Sequence, residues 1–199
     1  MRKASKAKAA APLLEIDRKS RKLFRPYRKT APVKALAWLG QSGDQLQLRV
    51  LSGGLLAIGL VRRDGRLIRA GARMLLSHEL ATLAKKAVKN RVDRLRPRSA
   101  RRGKDIKPRR GHSKETELNS FPSGHSAGAM GAACAFAAEY PERRASALAA
   151  AGAVGLAQVP TTRHYPSDVV AGAAIGVATD AAVGVGWPAV LRLWRRWIG

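Results

Sequence analysis

Cysteine and aromatic residues are scarce in this sequence. The 199 residues include one cysteine, Cys134, which excludes an internal disulfide and a thiolate metal cluster. Aromatic residues make up 5% of the chain, and they are not interleaved with the basic runs. A stacking platform for single-stranded nucleic acid is therefore not supported, and we predict no specific nucleic-acid partner.

Acidic residues are also few. The chain has 13 Asp and Glu against 38 Lys and Arg, which gives a net charge of +25. Such charge attracts polyanions, whether nucleic acid, anionic lipid head groups or phosphorylated substrates, and does not choose among them. Residues 1–30 are strongly basic and lack a continuous apolar core. We therefore expect no cleavable signal peptide, a disordered basic tail over 1–30 and a single domain over 31–199.

Helical patterns dominate the rest of the chain. Apolar positions at helical spacing from Arg66 to Arg96 predict one long amphipathic helix, which Pro97 ends because it disfavours helical geometry at the preceding residue. Nearly uncharged runs rich in Ala and Gly predict three further helices, over Ser126–Ala138, Ala145–Val159 and Val169–Leu191. With the shorter apolar segments before Arg66, the fold class is an all-α bundle of about five to six helices.

Small residues recur every four positions in two of these helices. The series are Gly124/Gly128/Ala132 and Gly172/Gly176/Asp180/Gly184. This spacing lets helix backbones approach closely within a membrane, and we predict a membrane-embedded bundle. A tightly packed soluble bundle would show the same spacing. Asp180 lies within an apolar segment, where a structural polar contact is the expected role.

Lys89 and Arg96 form a first candidate site. They are seven positions apart, close to two helical turns, so the predicted helix would project both cations from one face. Alone, such a pair also fits a basic surface face.

The segment FPSGH forms a second candidate site. Pro122 favours an early helical position, Ser123 can cap the helix, and Gly124 lets a ligand approach the backbone. The free N–H groups of a helix start bind anions such as phosphate. His125, in the first turn, could donate a proton to a leaving oxygen.

His164 and Asp168 form a third candidate site. They are four positions apart around a helix start marked by Pro166. A carboxylate there can fix the tautomer of the imidazole through one ring nitrogen, which makes the other nitrogen a basic nucleophile.

Together, the three sites resemble the type 2 phosphatidic acid phosphatase family, whose superfamily includes vanadium haloperoxidases and class A acid phosphatases. The resemblance covers roughly Asp44 to Trp194 and rests on the order and spacing of Lys89-x6-Arg96-Pro97, Pro122-Ser123-Gly124-His125 and His164-x3-Asp168. It implies the helical phosphatidic acid phosphatase/haloperoxidase fold.

The resemblance also implies roles for individual residues. His164 would attack phosphorus to form a phosphohistidine, and Asp168 would orient His164. His125 would protonate the leaving alcohol and then activate the water that releases phosphate. The phosphate-binding residues implied are Lys89, Arg96, Ser123 and Gly124. No metal and no cofactor is expected.

The third motif departs from the family pattern. The family has Ser-Arg there, with the Arg six residues before the histidine, whereas this chain has Ala157-Gln158. Losing such a charged contact to a transition state costs about 2.7 to 4 kcal/mol. Gln158 could still donate a neutral hydrogen bond to the phosphate, and Arg163 or an arginine within 98–110 could supply the charge.

These observations predict a phosphomonoesterase acting on a lipid phosphate or diphosphate of the phosphatidic acid or polyprenyl type. A degenerate member that binds anionic lipid, or a phosphotransferase using the same site, are the alternatives. The arginines at 143–144 and 192–196 would lie opposite the site, which favours a bacterial inner-membrane protein with its site facing outward. The basic segment 98–110 on the site's own side argues against that orientation. The oligomeric state is left open.

Overall fold

The computed structural model describes residues 2–100 and 107–198, with side chains over 12–100 and 107–193. Its helices are α1 (Arg2–Phe24), α2 (Ala31–Gln41), α3 (Gln45–Arg62), α4 (Gly65–Lys89), α5 (Gly124–Glu139), α6 (Arg144–Ala157) and α7 (Pro166–Ile198). Two short antiparallel strands, β1 (Val92–Asp93) and β2 (Arg109–Arg110), lie in the region between α4 and α5. The predicted all-α bundle is confirmed, since α2–α7 supply its six helices.

Helix α5 is the centre of the bundle and packs against α4, α6 and α7. Its alanines and glycines make this possible, because small side chains let three neighbouring helices approach together. A Cβ at Gly176 of α7 would lie 2.5 Å from the carbonyl oxygen of Ala127. The close helix contact predicted from the small-residue spacing is therefore confirmed for α5 and α7.

The start of α5 follows from its sequence. Ser123 is the N-cap residue, and its hydroxyl accepts a hydrogen bond from the backbone N–H of Ser126 at 3.3 Å. The backbone N–H of Ser123 donates to the carbonyl oxygen of Asp168 at 3.0 Å. This bond ties the beginning of α5 to the beginning of α7, and thus the second sequence motif to the third.

Helix α4 is shorter than predicted. It ends at Lys89, with Asn90 as its C-cap residue, and not at Arg96. The backbone N–H of Arg94 donates to the carbonyl of Leu118, and that of Arg96 to the carbonyl of Glu117. These extended contacts replace the helical hydrogen bonds, so Lys89 and Arg96 do not lie on one helix face.

The expectation of a disordered tail also differs from the structure, which has α1 over most of that segment. Two of its polar side chains are buried against the segment after β1. The guanidinium of Arg21 donates to the carbonyl oxygens of Pro97 and Ala100, and Asp17 is completely buried. Charge alone favoured a solvated tail, but these specific partners hold the helix against the bundle.

Helix α7 carries an apolar segment of membrane-spanning length. Within residues 2–100 and 107–198, one helix is long and apolar enough to cross a membrane, over Pro166–Leu193 with a mean hydropathy of 1.7. Its carboxylate at Asp180 accepts two hydrogen bonds from the guanidinium of Arg73, at 3.0 and 3.1 Å, and one from Ser77 at 2.9 Å. The prediction that Asp180 makes a structural polar contact is confirmed.

Candidate active site

A small polar pocket collects residues from all three sequence motifs. Its volume is about 160 Å³. It lies where the beginning of α5, the end of α4 and the segments before α3 and α7 meet, and it is lined by Gly43, Asp44, Gln45, Lys85, Lys89, Arg96, Gly124, His125 and His164.

His164 is buried and held through one ring nitrogen. Its Nδ1 lies 2.7 Å from the carbonyl oxygen of Ser120. A carbonyl can only accept, so Nδ1 carries the proton and the lone pair of the neutral ring is on Nε2. Burial lowers the pKa of His164 below its usual range, with Arg96 and Lys89 acting in the same direction and Asp168 opposing them. The ring is therefore kept neutral.

Asp168 acts on His164 less directly than expected. Its Oδ2 lies 3.8 Å from the Nδ1 of His164, beyond hydrogen-bond distance, so the sequence-based expectation of a direct bond is wrong. The carboxylate instead accepts hydrogen bonds from the Ser120 hydroxyl at 2.6 Å and the Tyr165 backbone N–H at 2.9 Å. It also pairs with Arg94. Asp168 thus fixes Ser120, whose carbonyl fixes the imidazole.

His125 lies on the opposite wall of the pocket, in the first turn of α5. Its Nε2 lies 2.6 Å from the Oδ1 of Asp44, an ion-pair distance. A carboxylate at this distance favours the protonated imidazole, but burial has the larger effect and lowers the pKa of His125 to about 4, with His164 and Arg163 acting in the same direction. Asp44 is the N-cap residue of α3 and belongs to none of the three sequence motifs.

Three cations line the pocket. Lys89 Nζ donates to the carbonyl of Asn119 at 2.8 Å, and Arg96 Nε to the carbonyl of Thr116 at 2.9 Å, so both side chains are held by the segment before α5. Burial, reinforced by the neighbouring Arg98, lowers the pKa of Arg96. Lys85 is the third cation, 9% exposed. Its four-residue spacing from Lys89 could have identified it, but the basic run around it indicated a surface face.

Gly124 gives Lys85 room to reach the pocket. A Cβ at Gly124 would lie 2.9 Å from the Nζ of Lys85. The glycine therefore keeps both the helix N-terminus and the ammonium group open to a shared anion.

Two of the predicted phosphate-binding residues lie outside the pocket. Ser123 is completely buried and its hydroxyl caps α5. Gln158 is also buried, and its amide Nε2 donates to the carbonyl oxygens of Gly40 and Val154, both at 3.3 Å. The amide turns toward α2 because Gly40 has no side chain to exclude it. Neither residue presents a side chain to the anion site, which corrects the sequence-based assignment.

The arrangement suits the binding of a compact oxyanion between two imidazoles. Lys85, Lys89 and Arg96 supply charge for the oxygens, and the N-terminus of α5 supplies backbone N–H groups. Within the part of the chain that the structure describes, no group of three or more His, Cys, Asp or Glu side chains could hold a metal ion.

Comparison with known families identifies the chain. The model of the PAP2 superfamily matches residues 70–190, a segment that contains both imidazoles and all three cations. This chain belongs to the PAP2 superfamily. The resemblance drawn from the three motifs is thereby confirmed.

Curated relatives of this PAP2 protein include lipid A 1-phosphatases. The chain is 35% identical over 102 residues to the lipid A 1-phosphatase of Rhizobium johnstonii, covering 44% of this chain and 41% of the relative. It is 38% identical over 66 residues to that of Porphyromonas gingivalis, covering 31% and 15%. The chain therefore spans about two fifths or less of the length of these relatives.

Two solved structures share the fold of this PAP2 protein. Aquifex aeolicus LpxE has a TM-score of 0.57 at 21% identity, covering 81% of this chain and 90% of that chain. A transmembrane PAP2-type phosphatidylglycerolphosphate phosphatase from Bacillus subtilis has a TM-score of 0.58 at 22% identity, covering 84% and 82%. At these identities the likeness concerns the fold.

Proposed function

We propose that this protein is a phosphatase that hydrolyses a phosphate monoester or diphosphate carried by a lipid, through a phosphohistidine intermediate. The observation that carries the proposal is the pocket of about 160 Å³ in which His125 and His164 face one space lined by three cations. Phosphoryl transfer requires mainly positioning and charge stabilisation, which such a pocket provides.

In the first step, Nε2 of His164 attacks phosphorus while the bond between phosphorus and the leaving oxygen breaks. That oxygen is the lipid alkoxy oxygen of a monoester or the bridging oxygen of a diphosphate. The proton stays on Nδ1, where it is hydrogen-bonded to the Ser120 carbonyl. This keeps the attacking lone pair on Nε2. His125 gives its proton to the departing oxygen, and Asp44 at 2.6 Å opposes the effect of burial on its pKa. A monoester therefore leaves as the lipid alcohol, and a diphosphate leaves as the lipid monophosphate.

In the second step, water attacks the phosphohistidine. His125, now neutral, takes a proton from that water, and the bond between phosphorus and Nε2 breaks to release inorganic phosphate and His164. Lys85, Lys89 and Arg96 stabilise the charge on the phosphoryl oxygens in both steps. We assign Lys85 the charge that the family's third-motif arginine would supply.

A lipid substrate is supported by the apolar outer surface. The apolar segment of α7 is only 22% buried, unlike the core helix of a water-soluble bundle, and large apolar side chains such as Val61, Leu156 and Val185 are well exposed. Exposed apolar surface of this extent fits insertion into a bilayer. The relatives named lipid A 1-phosphatase point to the same substrate class.

An apolar cavity adjoins the polar pocket. It has a volume of about 440 Å³ and is lined largely by Leu, Ala and Met side chains of α3–α6. Ser42 lines this cavity and the next residue, Gly43, lines the polar pocket. A lipid could therefore place its phosphate between the histidines and an acyl chain beside α5. We further propose that the site faces outward from a bacterial inner membrane, since Arg143 and Arg144 lie at the opposite end of α5 and α6.

A degenerate member that only binds anionic lipid is the second candidate. Gln158 favours it, because its amide is committed to Gly40 and Val154 and adds no donor to the site. A phosphotransferase would use the same first step with an alcohol in place of water.

The test is phosphate release in detergent with a metal chelator present. Short-chain phosphatidic acid, a polyprenyl diphosphate and lipid A serve as substrates. We expect the parent to release phosphate from at least one of them and His164→Ala to release none. His112→Ala is the control, since His112 is exposed and lies outside the pocket. Binding of the lipids without release by the parent would support the degenerate candidate, and transfer to an added alcohol without release would support the phosphotransferase.

A further inference from the structure

We propose that Asp17 on α1 is a positioning residue that acts on His164 through a buried chain of contacts. The inference rests on the proposed function, because it concerns the same nucleophile. The chain runs from Asp17 through Arg94, Asp168 and Ser120 to His164.

The first contact joins Asp17 to Arg94 and Ser167. Arg94 Nη2 donates to Asp17 Oδ2 at 2.6 Å, with both side chains 1% exposed. The backbone N–H of Ser167 donates to Oδ1 at 3.1 Å, and its hydroxyl donates to Oδ2 at 2.6 Å. A carboxylate so placed fixes one end of the guanidinium and the first turn of α7.

The second contact joins Arg94 to Asp168. Nη1 of Arg94 donates to Oδ1 of Asp168 and lies 2.7 Å from the hydroxyl of Ser167. The guanidinium also stacks over the Tyr165 ring, with its carbon 4.3 Å from the ring centroid. A guanidinium is a rigid planar fork, so holding one nitrogen with Asp17 sets the direction in which the other meets Asp168.

The third contact joins Asp168 to the nucleophile. The Ser120 hydroxyl donates to Asp168 at 2.6 Å, and the Ser120 carbonyl accepts the Nδ1 proton of His164 at 2.7 Å. Each link is buried, so water does not substitute for a missing partner at low cost.

Removal of the Asp17 charge has a defined consequence. Arg94 keeps its positive charge but loses the buried carboxylate that its Nη2 contacts. A buried cation without a full set of partners turns or admits water, because leaving it uncompensated is costly. Asp168 is then no longer held in one orientation, so the Ser120 that it contacts is also less fixed. The hydrogen bond from Nδ1 of His164 to the Ser120 carbonyl is weakened as a result.

Asp17 contributes to the site from outside the segment matched by the superfamily model. That segment begins at residue 70, whereas α1 ends at Phe24. The same helix is also held by Arg21, through the carbonyls of Pro97 and Ala100. The rigidity of the nucleophile therefore depends on a helix that the three sequence motifs do not include.

The first test compares full-length variants by their kinetics. Asp17→Asn keeps the shape and removes the charge, and we expect kcat to fall about tenfold or more, the size of effect seen for partners that orient the ligands of metal sites. KM should change by less than about twofold, since Asp17 does not touch the pocket. Asp17→Glu should restore part of kcat. Glu15→Gln, on the same helix but exposed and paired with Lys19, should leave kcat unchanged.

The second test reads His164 directly and does not need activity. A downfield Nδ1–H proton signal, assigned by its loss in His164→Ala, should be present in the parent and in Glu15→Gln and lost or broadened in Asp17→Asn. An unchanged signal and an unchanged kcat in folded Asp17→Asn would overturn the inference, as would the absence of the signal in the parent. Activity that persists in His164→Ala would instead overturn the proposed function, while the proton signal would still decide the role of Asp17.

Discussion

The rings of His125 and His164 lie across the pocket from each other, with centroids 6.4 Å apart and planes inclined at 62°. At this separation the two rings do not hydrogen-bond to each other, and both line the same pocket. One ring is held by a backbone carbonyl and the other lies beside a carboxylate. Burial lowers the pKa of both rings, and in each case a carboxylate opposes the shift, Asp168 for His164 and Asp44 for His125. In the proposed mechanism His164 is the nucleophile and His125 is the acid.

The proposed acid role of His125 predicts a dependence on the leaving group. In His125→Ala, the loss of rate should be large for an alkyl phosphate and small for the first turnover of p-nitrophenyl phosphate, whose leaving group needs no proton. Hydrolysis of the phosphohistidine still needs a base, so nitrophenol should appear in a burst of about one per chain, followed by a slow phase. Stopped-flow absorbance measures this. Equal losses for both substrates with no burst would contradict the assignment.

The three-cation pocket predicts that Lys85 matters more than Gln158. Lys85→Met removes a charge beside the bound phosphate and should lower kcat/KM by about a hundredfold or more. Gln158→Ala removes only the contacts to Gly40 and Val154, so it should lower the melting temperature and leave most of kcat/KM. Steady-state phosphate release and thermal unfolding separate the two effects. The reverse order of the two variants in kcat/KM would show that Gln158, and not Lys85, is the residue that stabilises the phosphoryl group.

The lowered pKa of His164 predicts the pH below which kcat/KM falls, the acid limb of its pH profile. Attack requires the neutral ring, so the limb should lie below the ordinary histidine pKa of about 6.5. Asp168 raises the pKa of His164 and Arg96 lowers it, although burial dominates both effects. Asp168→Asn should therefore move the limb to lower pH, and Arg96→Gln should move it to higher pH.

The measurement is kcat/KM against pH for the parent and both variants on one substrate. Ionisation of the substrate is the same in all three, so it cancels from the differences. A limb that stays in place in both variants, or shifts in the opposite order, would contradict the assignment of His164 as the nucleophile.

The ion pair between α4 and α7 predicts a loss of stability without a loss of site chemistry. Arg73 and Asp180 are 13% and 10% exposed, so Asp180→Asn leaves a nearly buried guanidinium with a weaker partner and should cost about 3 to 5 kcal/mol in the free energy of unfolding. Glu142→Gln, which breaks an exposed pair with Arg66, should cost no more than about 1 kcal/mol. Denaturant unfolding in detergent micelles gives both values. Equal losses would show that the Arg73–Asp180 pair contributes no more than the surface pair does.

The spacing of the motifs predicted correctly which residues line the pocket, but it did not predict how the chain brings them together. Lys89, Arg96, Gly124, His125 and His164 all line it, although α4 ends before Arg96. The lysine and the arginine meet because the chain turns into β1 and continues along the segment before α5. Periodicity could not show this, since the extended contacts of Arg94 and Arg96 are with residues more than twenty positions away.

The sequence by itself determined the local features: the apolar runs that become α4 to α7, the serine that caps α5, and the order of the three motifs. Those features depend on neighbours within a few residues, which the sequence displays directly. Only the tertiary structure decided that the carbonyl of Ser120 holds His164, that Asp44 lies beside His125, and that Asp17 is buried and paired with Arg94. Every residue has a backbone carbonyl, so the sequence does not show which one will contact a side chain. A carboxylate in a basic segment looks like a solvated charge in the sequence, because its buried partner comes from a distant part of the chain.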